Sequence, residues 1–356
     1  MALSGGVDSS VAAARLVAAG HDVVGATLKL WGGESDSGCC SVSDVDDARR
    51  VADALGIDHH TFAYAEEFEA AVVGPYVAAH ARGATPNPCM ACNRHLKFGS
   101  LLARADRLGF DAVATGHHAR VAVGPDGRRR VARGADAAKD QSYVLAGLDH
   151  ERLGRVLFPV GDSAKGDVRR EAAALGLRTA AKPDSQDVCF ITRGDGRAHF
   201  LGRRLALTPG RVVDGRGRTV GAVPAVEAVT VGQRRGLGLP GGGPPRYALD
   251  VDVAGATVRV GTEAEMQVAA QPVAALGWAG PPHEAGRLDE ADLAVQASAH
   301  GAPTPGRLLP SGTGDGTGEV RWARPRRRVA PGQALVAYDG DHVVAWATAA
   351  GPPRRG

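Results

Sequence analysis

Residues suited to chemistry fall in three places. The first is Ser4-Gly5-Gly6-Val7-Asp8-Ser9-Ser10, lying between a predicted strand end and a helix start. Glycines let a backbone approach an anion closely, and hydroxyls and N–H groups at a helix N-terminus then hold it. The loop carries no lysine of the Walker A kind, so transfer of a γ-phosphate is not implied. The second place is Thr85-Pro86-Asn87-Pro88-Cys89-Met90-Ala91-Cys92-Asn93. Its prolines and asparagines predict a rigid, exposed connector just ahead of a helix that begins at Arg94. Cys92 then sits near a helix N-terminus, where the dipole favours a thiolate. The third is Asp184-Ser185-Gln186-Asp187-Val188-Cys189-Phe190-Ile191. Polar turn residues run into an apolar stretch, which predicts Cys189 at a loop–strand edge.

Each feature also has a plainer reading. A serine-capped glycine turn needs no ligand, and a lone cysteine is more often a small buried hydrophobe. Cys89 and Cys92 form a C-x-x-C, which is half a zinc site, but no second C-x-x-C exists. Cys89, Cys92 and Cys189 together would suffice for an iron–sulfur cluster with one open iron. Cys39 and Cys40 are adjacent and are read as structural. Five cysteines at irregular spacing make a poor disulfide framework and point to a reducing cytoplasm.

The elements that must position these residues alternate. Residues 10–19 are rich in Ala, Val and Leu and predict a helix closed by Gly20. Residues 23–28 read as a buried strand. Asp44 is placed to cap a helix whose Val45, Ala48, Val51, Ala52 and Leu55 share one face. A short strand follows at residues 60–63, then an amphipathic helix over 94–108, then a strand at 112–115. Strands separated by helices predict an α/β fold with a doubly wound, mostly parallel sheet. The texture changes near residue 200. From Gly210 onward Gly and Pro punctuate short Val-rich runs at 211–213, 228–231 and 257–260, which read as small β-modules. Loops are expected at 240–245 and 303–318.

With 356 residues the chain is too long for one ordinary core. The organisation expected is 1–198, 199–265 and 266–356. At 44% hydrophobic and 23% charged residues, the composition is that of a globular protein. No apolar run approaches the ~20 residues that span a bilayer, and the N-terminus reads as no secretory signal. Charge is uneven: residues 31–70 carry ten Asp or Glu against two Arg, whereas 151–220 carry fourteen Lys or Arg against eight Asp or Glu. That asymmetry suits a polyanion docking on one side.

The loop at residues 4–10 resembles the PP-loop of ATP pyrophosphatases, which cleave between the α- and β-phosphates, and the resemblance implies that Asp8 positions magnesium on the pyrophosphate. The whole chain resembles the tRNA-specific 2-thiouridylases, the MnmA family. Further landmarks are Cys92-Asn93 with Leu96-Lys97-Phe98, Ala114-Thr115-Gly116-His117, Lys139-Asp140-Gln141-Ser142-Tyr143 and Leu157-Phe158-Pro159-Val160-Gly161. Gly232-Gln233-Arg234-Arg235-Gly236-Leu237 and Pro331-Gly332-Gln333 extend the likeness toward the C-terminus. The resemblance implies a PP-loop catalytic domain of the adenine nucleotide alpha hydrolase type, a small central β-rich domain and a C-terminal β-barrel. It implies that Ala2, Leu3, Ser4, Gly5, Gly6, Val7, Asp8 and Ser9, with Leu28 and Gly116, hold ATP. Cys92 is then the nucleophile and Cys189 the persulfide carrier. Asn87 and Pro88, with Cys89 beside them, lie against the target base. His117, Lys139, Asp140, Gln141 and Gln333 contact tRNA. The implied substrate is the wobble uridine (position 34) of tRNAs for Lys, Glu and Gln, with a cysteine desulfurase or sulfur-relay protein as persulfide donor. Two departures stand out. Cys89 occupies a position where family members often carry Asp, and Gln296-Ala297-Ser298-Ala299-His300 replaces a usual Arg-Tyr pair.

The implied chemistry is adenylation of the uracil oxygen on carbon 2, which turns a poor leaving group into AMP, followed by sulfur transfer. Either the terminal sulfur of the Cys189 persulfide attacks carbon 2, or Cys92 attacks the persulfide and releases sulfide beside the base. Both routes end in a Cys92–Cys189 disulfide. The rivals are an amidotransferase-type PP-loop synthetase, the same reaction run on an iron–sulfur cluster, and a non-enzymatic tRNA-binding or zinc module.

Overall fold

A computed structural model describes residues 1–31, 42–184, 188–191, 196–280 and 292–351. Two compact units divide the chain. One holds Met1–Val72, Pro88–Thr192 and Asp341–Val343; the other holds Val73–Asn87, Arg193–Gly340 and Val344–Gly356.

The chain opens with extended residues 1–3 and then α1 (Val7–Ala18), β1 (Gly25–Lys29), α2 (Val42–Leu55) and β2 (His59–Ala63). Strands β1 and β2 pair in parallel, with Leu28 opposite Phe62. Residues 1–3 lie on the other side of β1: Leu3 N donates to Ala26 O, and Ala2 N donates to Ala114 O, each at 2.8 Å. Three residues suffice for a central strand because both of its edges are paired. The path continues through α3 (Ala65–Phe68), a π-helical turn at Glu69–Val73 and α4 (Gly74–His80). Next come α5 (Pro88–Cys92), a π-helical stretch at Asn93–Ser100 and α6 (Leu101–Arg107). Then follow β3 (Val113–Ala114), the hairpin β4 (Ala119–Val123) and β5 (Arg129–Arg133), α7 (Ser142–Leu145), α8 (His150–Leu153), β6 (Val156–Leu157) and α9 (Lys165–Ala174). Strands β3 and β6 are parallel.

The order β2, β1, residues 1–3, β3, β6 is therefore the mostly parallel sheet that the alternation of elements predicts. Helix α1 is buried on two sides. Its Val7, Val11 and Ala12 pack with Val160, Val168 and Ala172, and its Ala13 packs with Leu3, Ala48, Val51 and Ala52. An all-apolar run at residues 11–14 fits this double burial.

Two boundaries differ from expectation. Helix α2 begins at Val42, so Asp44 lies in its first turn instead of capping it. The helix expected at Arg94 begins at Pro88. Proline at the first helical position has its φ preset and loses no hydrogen bond, so it starts a helix as readily as it stiffens a connector.

The second unit carries α10 (Gly196–Gly202), β7 (Gly210–Val213), β8 (Thr219–Val223), β9 (Tyr247–Asp252) and β10 (Thr257–Gly261), with sheet order β8–β7–β10–β9. Val212, Val226, Val258, Val260 and Met266 fill its core. The expected strand at 228–231 is instead a 3₁₀ turn, Val226–Ala228, running into irregular chain. Its valines are buried without a strand partner to pair with. A capping box, Thr262 with Glu265, starts α11 (Glu263–Met266).

Strands β11 (Gln267–Trp278), β12 (Leu293–Gln296), β13 (Thr304–Pro310), β14 (Gly318–Arg327), β15 (Ala334–Asp339) and β16 (His342–Ala349) follow. Their order is β11–β14–β13–β12–β15–β16, and β16 pairs back on β11, which closes a six-stranded barrel. Val273, Leu293, Val295, Leu308, Val320, Trp322, Leu335 and Val344 fill it. Strand β13 occupies part of the stretch expected to be loop. Pro305 stands opposite Ala294 there, since proline's φ suits an extended strand and forfeits only one donor.

Candidate functional site

The loop between residues 1–3 and α1 is shaped by backbone contacts. Gly5 has φ +68°, and a Cβ on it would lie 2.2 Å from Asp44 O. Gly6 is extended and caps α1. The hydroxyls of Ser9 and Ser10 donate to Gly6 O at 3.0 and 2.8 Å, and Ser4 N donates to Ser9 Oγ at 3.2 Å. Gly116, two residues past β3, closes the far wall: a Cβ there would lie 2.5 Å from Ser9 N. First-turn N–H groups of a helix have no partner within it, so the head of α1 at Val7, Asp8 and Ser9 is of the kind that holds an anion. Ala2, Leu3 and Leu28 are sheet residues beneath the loop, with Leu3 and Leu28 buried.

Charged side chains from distant segments gather beside the loop. The Asp8 carboxylate accepts from His118 Nε2 at 3.0 Å and from Lys165 Nζ at 2.7 and 2.5 Å. Burial pushes the Asp8 carboxyl up, but the hydrogen bonds from His118 and Lys165 outweigh it and hold it below the ordinary carboxylate range. Lys165 Nζ also meets Asp184 Oδ1 at 3.0 Å. Asp184 is shared further with Lys139 at 2.9 Å and Arg169 at 2.8 Å. Its burial acts upward, and the hydrogen bonds from Lys139 and Lys165 prevail, so this carboxyl too is well below its usual range. Lys182 Nζ donates to Gly5 O at 3.0 Å and to Asp44 and Asp47 at 2.6 and 2.7 Å. Sequence reasoning did not single out His118, Lys165, Arg169 or Lys182. The signal available for Lys165 was its place at the start of a helix, which says nothing about its partner.

Magnesium bound chiefly through substrate phosphates needs only one or two protein carboxylates. Asp8, at the head of α1, fits that need. Among the described residues, no three His, Cys, Asp or Glu side chains come together as a metal-ligand set. Cys89, Cys92 and Cys189 as placed do not form such a set and so do not fit an iron–sulfur cluster.

Cys92 is buried and ends α5, one turn beyond Pro88; Cys89 is half-buried. The exposed connector expected here is thus a helical turn with Pro88 and Cys92 inside. Asn93 Nδ2 donates to Val144 O at 3.0 Å and fixes the following turn. Cys189 is half-buried and lies in a turn, not at a strand edge. Its neighbour Phe190 is buried against Phe68 and Trp31, with ring centroids 5.7 and 6.3 Å apart, and these rings hold the turn without a sheet. Cys92 and Cys189 belong to the same compact unit. Residues 185–187, with Cys39 and Cys40, lie outside the described residues.

The residues that the resemblance implies for tRNA take varied positions. His117 is buried; its Nδ1 lies 2.7 Å from Thr115 Oγ1 and its Nε2 lies 3.4 Å from Lys97 Nζ. Burial, then the charge of Lys97, holds its imidazole neutral, well below 6.5. Asp140 accepts from Arg133, Gly134 N, Ser142 N and Ser142 Oγ at 2.8–3.0 Å, so it staples its own loop. Gln141 Oε1 accepts from His118 N at 2.9 Å. Lys139 is exposed. In the second unit Gln333 Nε2 donates to Thr85 O at 2.5 Å and Thr85 N donates to Pro331 O at 2.7 Å, so the Pro331-Gly332-Gln333 turn grips the chain just before Asn87.

A family model described as "tRNA methyl transferase HUP domain" matches residues 1–193. Models described as "tRNA methyl transferase PRC-barrel domain" and "Aminomethyltransferase beta-barrel domain" match 198–262 and 273–346. Fold and loop together therefore define a HUP-domain protein with a PRC-barrel-like middle domain and a closed C-terminal β-barrel. Among curated relatives, the tRNA-specific 2-thiouridylase MnmA of Beutenbergia cavernae is 48% identical over 99% of this chain and 94% of its own length. The MnmA proteins of Mycobacterium avium (46% identical, 99% of each chain) and Acidothermus cellulolyticus (48%, 98% of this chain and 96% of its own) match similarly. This chain belongs to the MnmA family of tRNA-specific 2-thiouridylases, and it is an enzyme of the tRNA sulfurtransferase class. No helix among the described residues is long and apolar enough to cross a membrane.

Proposed function

We propose that this protein makes 2-thiouridine at the wobble position of tRNA, with ATP as activator and a persulfide as sulfur source. The observation that carries the reading is one compact unit holding both an anion loop walled by Gly5 and Gly116 and the two cysteines Cys92 and Cys189. In the reaction, the carbon-2 oxygen of uridine 34 attacks the α-phosphorus of ATP and pyrophosphate leaves. Magnesium on Asp8 would offset the phosphate charge. The residues at the loop, Ala2 to Ser9 with Leu28 and Gly116, form the nucleotide site.

Sulfur then enters in one of two balanced ways. The terminal sulfur of the Cys189 persulfide attacks carbon 2 and expels AMP; Cys92 next attacks Cys189 Sγ, leaving the sulfur on the base. Otherwise Cys92 attacks the persulfide first, and the hydrosulfide released displaces AMP. Either way a Cys92–Cys189 disulfide remains and needs an external thiol reductant, as a reducing cytoplasm provides. Asn87, Pro88 and Cys89 face the base in this reading. His117, Lys139, Asp140, Gln141 and Gln333 border the tRNA, and His117 and Asp140 do so by shaping their loops from within. The substrates are tRNAs of the Lys, Glu and Gln type, and a cysteine desulfurase or sulfur-relay protein loads Cys189. The working division of the chain is 1–198, 199–265 and 266–356.

Incubation of tRNA with the protein, ATP, magnesium and a persulfide source, followed by mass analysis of the nucleosides, tests the proposal. A mass gain of sulfur-for-oxygen on uridine, dependent on ATP and accompanied by AMP, is expected. Unmodified uridine with no AMP formed would end it.

A further inference from the structure

Cys89 takes no part in the two-cysteine reaction, yet it stands beside it. Residues 88–107 follow one helical path through α5, the π-helical stretch at Asn93–Ser100 and α6, with Cys92 and Ser100 in right-handed helical backbone where the pieces join. Side chains three residues apart on such a path share a face, with Cβ atoms about 5–6 Å apart. Cys89 and Cys92 are therefore one small local adjustment away from disulfide geometry. Cys92 is buried, whereas Cys89 and Cys189 are half-buried. All three belong to one compact unit.

The proposed reaction ends in a Cys92–Cys189 disulfide, and burial governs how that bond opens. A dissolved thiol reaches the more accessible sulfur, Cys189 Sγ, more readily than Cys92 Sγ. Attack there leaves the reductant bonded to Cys189, the sulfur that must be free for reloading. A thiolate one helical turn from Cys92 reaches the buried sulfur without entering from solvent, and being tethered it acts at a high effective concentration. Cys92 is a fixed target for it. Pro88 is buried at the start of α5, and just beyond Cys92 the Asn93 side chain donates to Val144 O at 3.0 Å. The turn bearing Cys189 is anchored by partly exposed ion pairs at Asp184, so it is the more readily displaced side of the bond.

We propose that Cys89 is a resolving thiol that opens the Cys92–Cys189 disulfide from within the protein. This role rests on the two-cysteine reaction above and adds the step that follows it. The Cys89 thiolate attacks Cys92 Sγ, the Cys89–Cys92 bond forms, the Cys92–Cys189 bond breaks, and its electron pair leaves on Cys189. One disulfide replaces another, so the exchange has no net oxidation or reduction, and Cys189 takes up the proton that Cys89 gave up. A dithiol reductant then attacks the half-buried Cys89 Sγ and Cys92 leaves as a thiolate. The second thiol of the reductant frees Cys89, and the reductant ends as its own disulfide. Cys189 is open to reloading from the first exchange onward.

Disulfide mapping of the full-length protein tests this. Protein loaded with persulfide is given ATP, magnesium and tRNA without reductant, then quenched in acid, alkylated and digested. Trypsin cuts after Arg82 and Arg94, which leaves Cys89 and Cys92 on one peptide and Cys189 on another. The unsubstituted protein should yield the first peptide lighter by two hydrogens and the second alkylated. Cys89→Ser should instead yield the two peptides joined. With a protein dithiol as reductant, Cys89→Ser should stall after its first turnover and lose steady-state rate on the order of tenfold or more, and excess dithiothreitol should restore it. A Cys92–Cys189 bond that persists in the unsubstituted protein overturns the inference. So does a Cys89→Ser protein that turns over at the unsubstituted rate with the protein dithiol, or a folded one that fails even its first turnover. Should Cys89→Ser fail to fold, the map of the unsubstituted protein decides alone. Mild oxidation with diamide, without tRNA, separates this pair from the proposed function. A Cys89–Cys92 bond formed there, in a protein that never thiolates tRNA, would sink the proposed function and leave the pair standing; no such bond overturns the pair.

Discussion

The phosphate loop and the turn that carries Cys189 are held by different forces. Around Gly5, Gly6 and Gly116, backbone meets backbone at distances that admit no side chain, and short hydroxyl bonds from Ser9 and Ser10 complete the shape. The Cys189 turn belongs to no sheet or helix among the described residues, and its Phe190 packs on Phe68 at the end of α3. Ion pairs at Asp184 hold it on one side and the rings around Phe190 on the other. Steric restraint is insensitive to salt and pH, whereas partly exposed ion pairs are screened by salt and lost when acid protonates their carboxylates. A rigid loop suits a nucleotide whose phosphates must be aligned. In the proposed reaction, a turn held by charges suits a cysteine that has to be loaded, spent and reduced again.

The comparison can be broken at several strengths. The largest effect should come from Cys92→Ser and Cys189→Ser. Each should drop 2-thiouridine formation on the order of 10³-fold or more, while tRNA-dependent AMP release continues in at least one of them. Retained thiolation in either would show that the two thiols do not act as a pair. Gly5→Ala comes next, because both its φ and its 2.2 Å approach to Asp44 O are incompatible with a Cβ. We expect a stability loss on the order of 1–3 kcal/mol in urea unfolding and a higher KM for ATP. A variant as stable as the original would refute steric restraint as the organising force.

Acid separates the ion pairs at Asp184 from a buried imidazole of the second unit, His80, by range. Burial pushes the His80 imidazole down to about 4, and its ring accepts no charge while Nδ1 donates to Glu227 O. The unfolded imidazole takes a proton near 6.5, so stability is full above that value and falls as pH drops from about 6.5 toward 4, by up to about 3 kcal/mol. Asp184 behaves differently. Its folded carboxyl is depressed, so its contribution stays whole above the unfolded value near ~3.9 and is lost only as pH falls further. Urea midpoints measured between pH 7 and 3 should therefore decline in two stages. A His80→Gln variant should flatten the first stage and leave the second.

Smaller effects sharpen the picture. Asp184→Asn should speed hydrogen exchange at residues 188–191 and lower thiolation several-fold with little change in ATP binding, since the ion pairs it removes are partly exposed. Lys139→Ala should weaken tRNA binding by a few-fold and reduce its salt dependence by about one counterion, measured by filter binding across salt concentrations.

Much of this protein was legible in the amino-acid order. The glycine–serine loop, the alternation of strands and helices, the change of texture near residue 200 and the spacing of Cys89 and Cys92 are local patterns, and local patterns follow from φ preferences and hydrophobic period. Helix α5 was misread because proline serves a stiff connector and a first helical turn equally well, and the choice between them rests on which faces find a core. The valines at 228–231 were misread for the same reason: burial does not say whether a strand partner exists.

What only the tertiary structure decided is who meets whom. Lys165, His118 and Asp184 carry no mark in the sequence that directs them to Asp8. Coulomb attraction acts through space, and Lys165 lies 157 residues from its partner along the chain. The same holds for Gly116, whose missing side chain makes sense only once Ser9 N stands 2.5 Å from where a Cβ would be. Sequence order sets the elements because their forces are local; the sheet that joins them brings together the charges and close contacts that form the site.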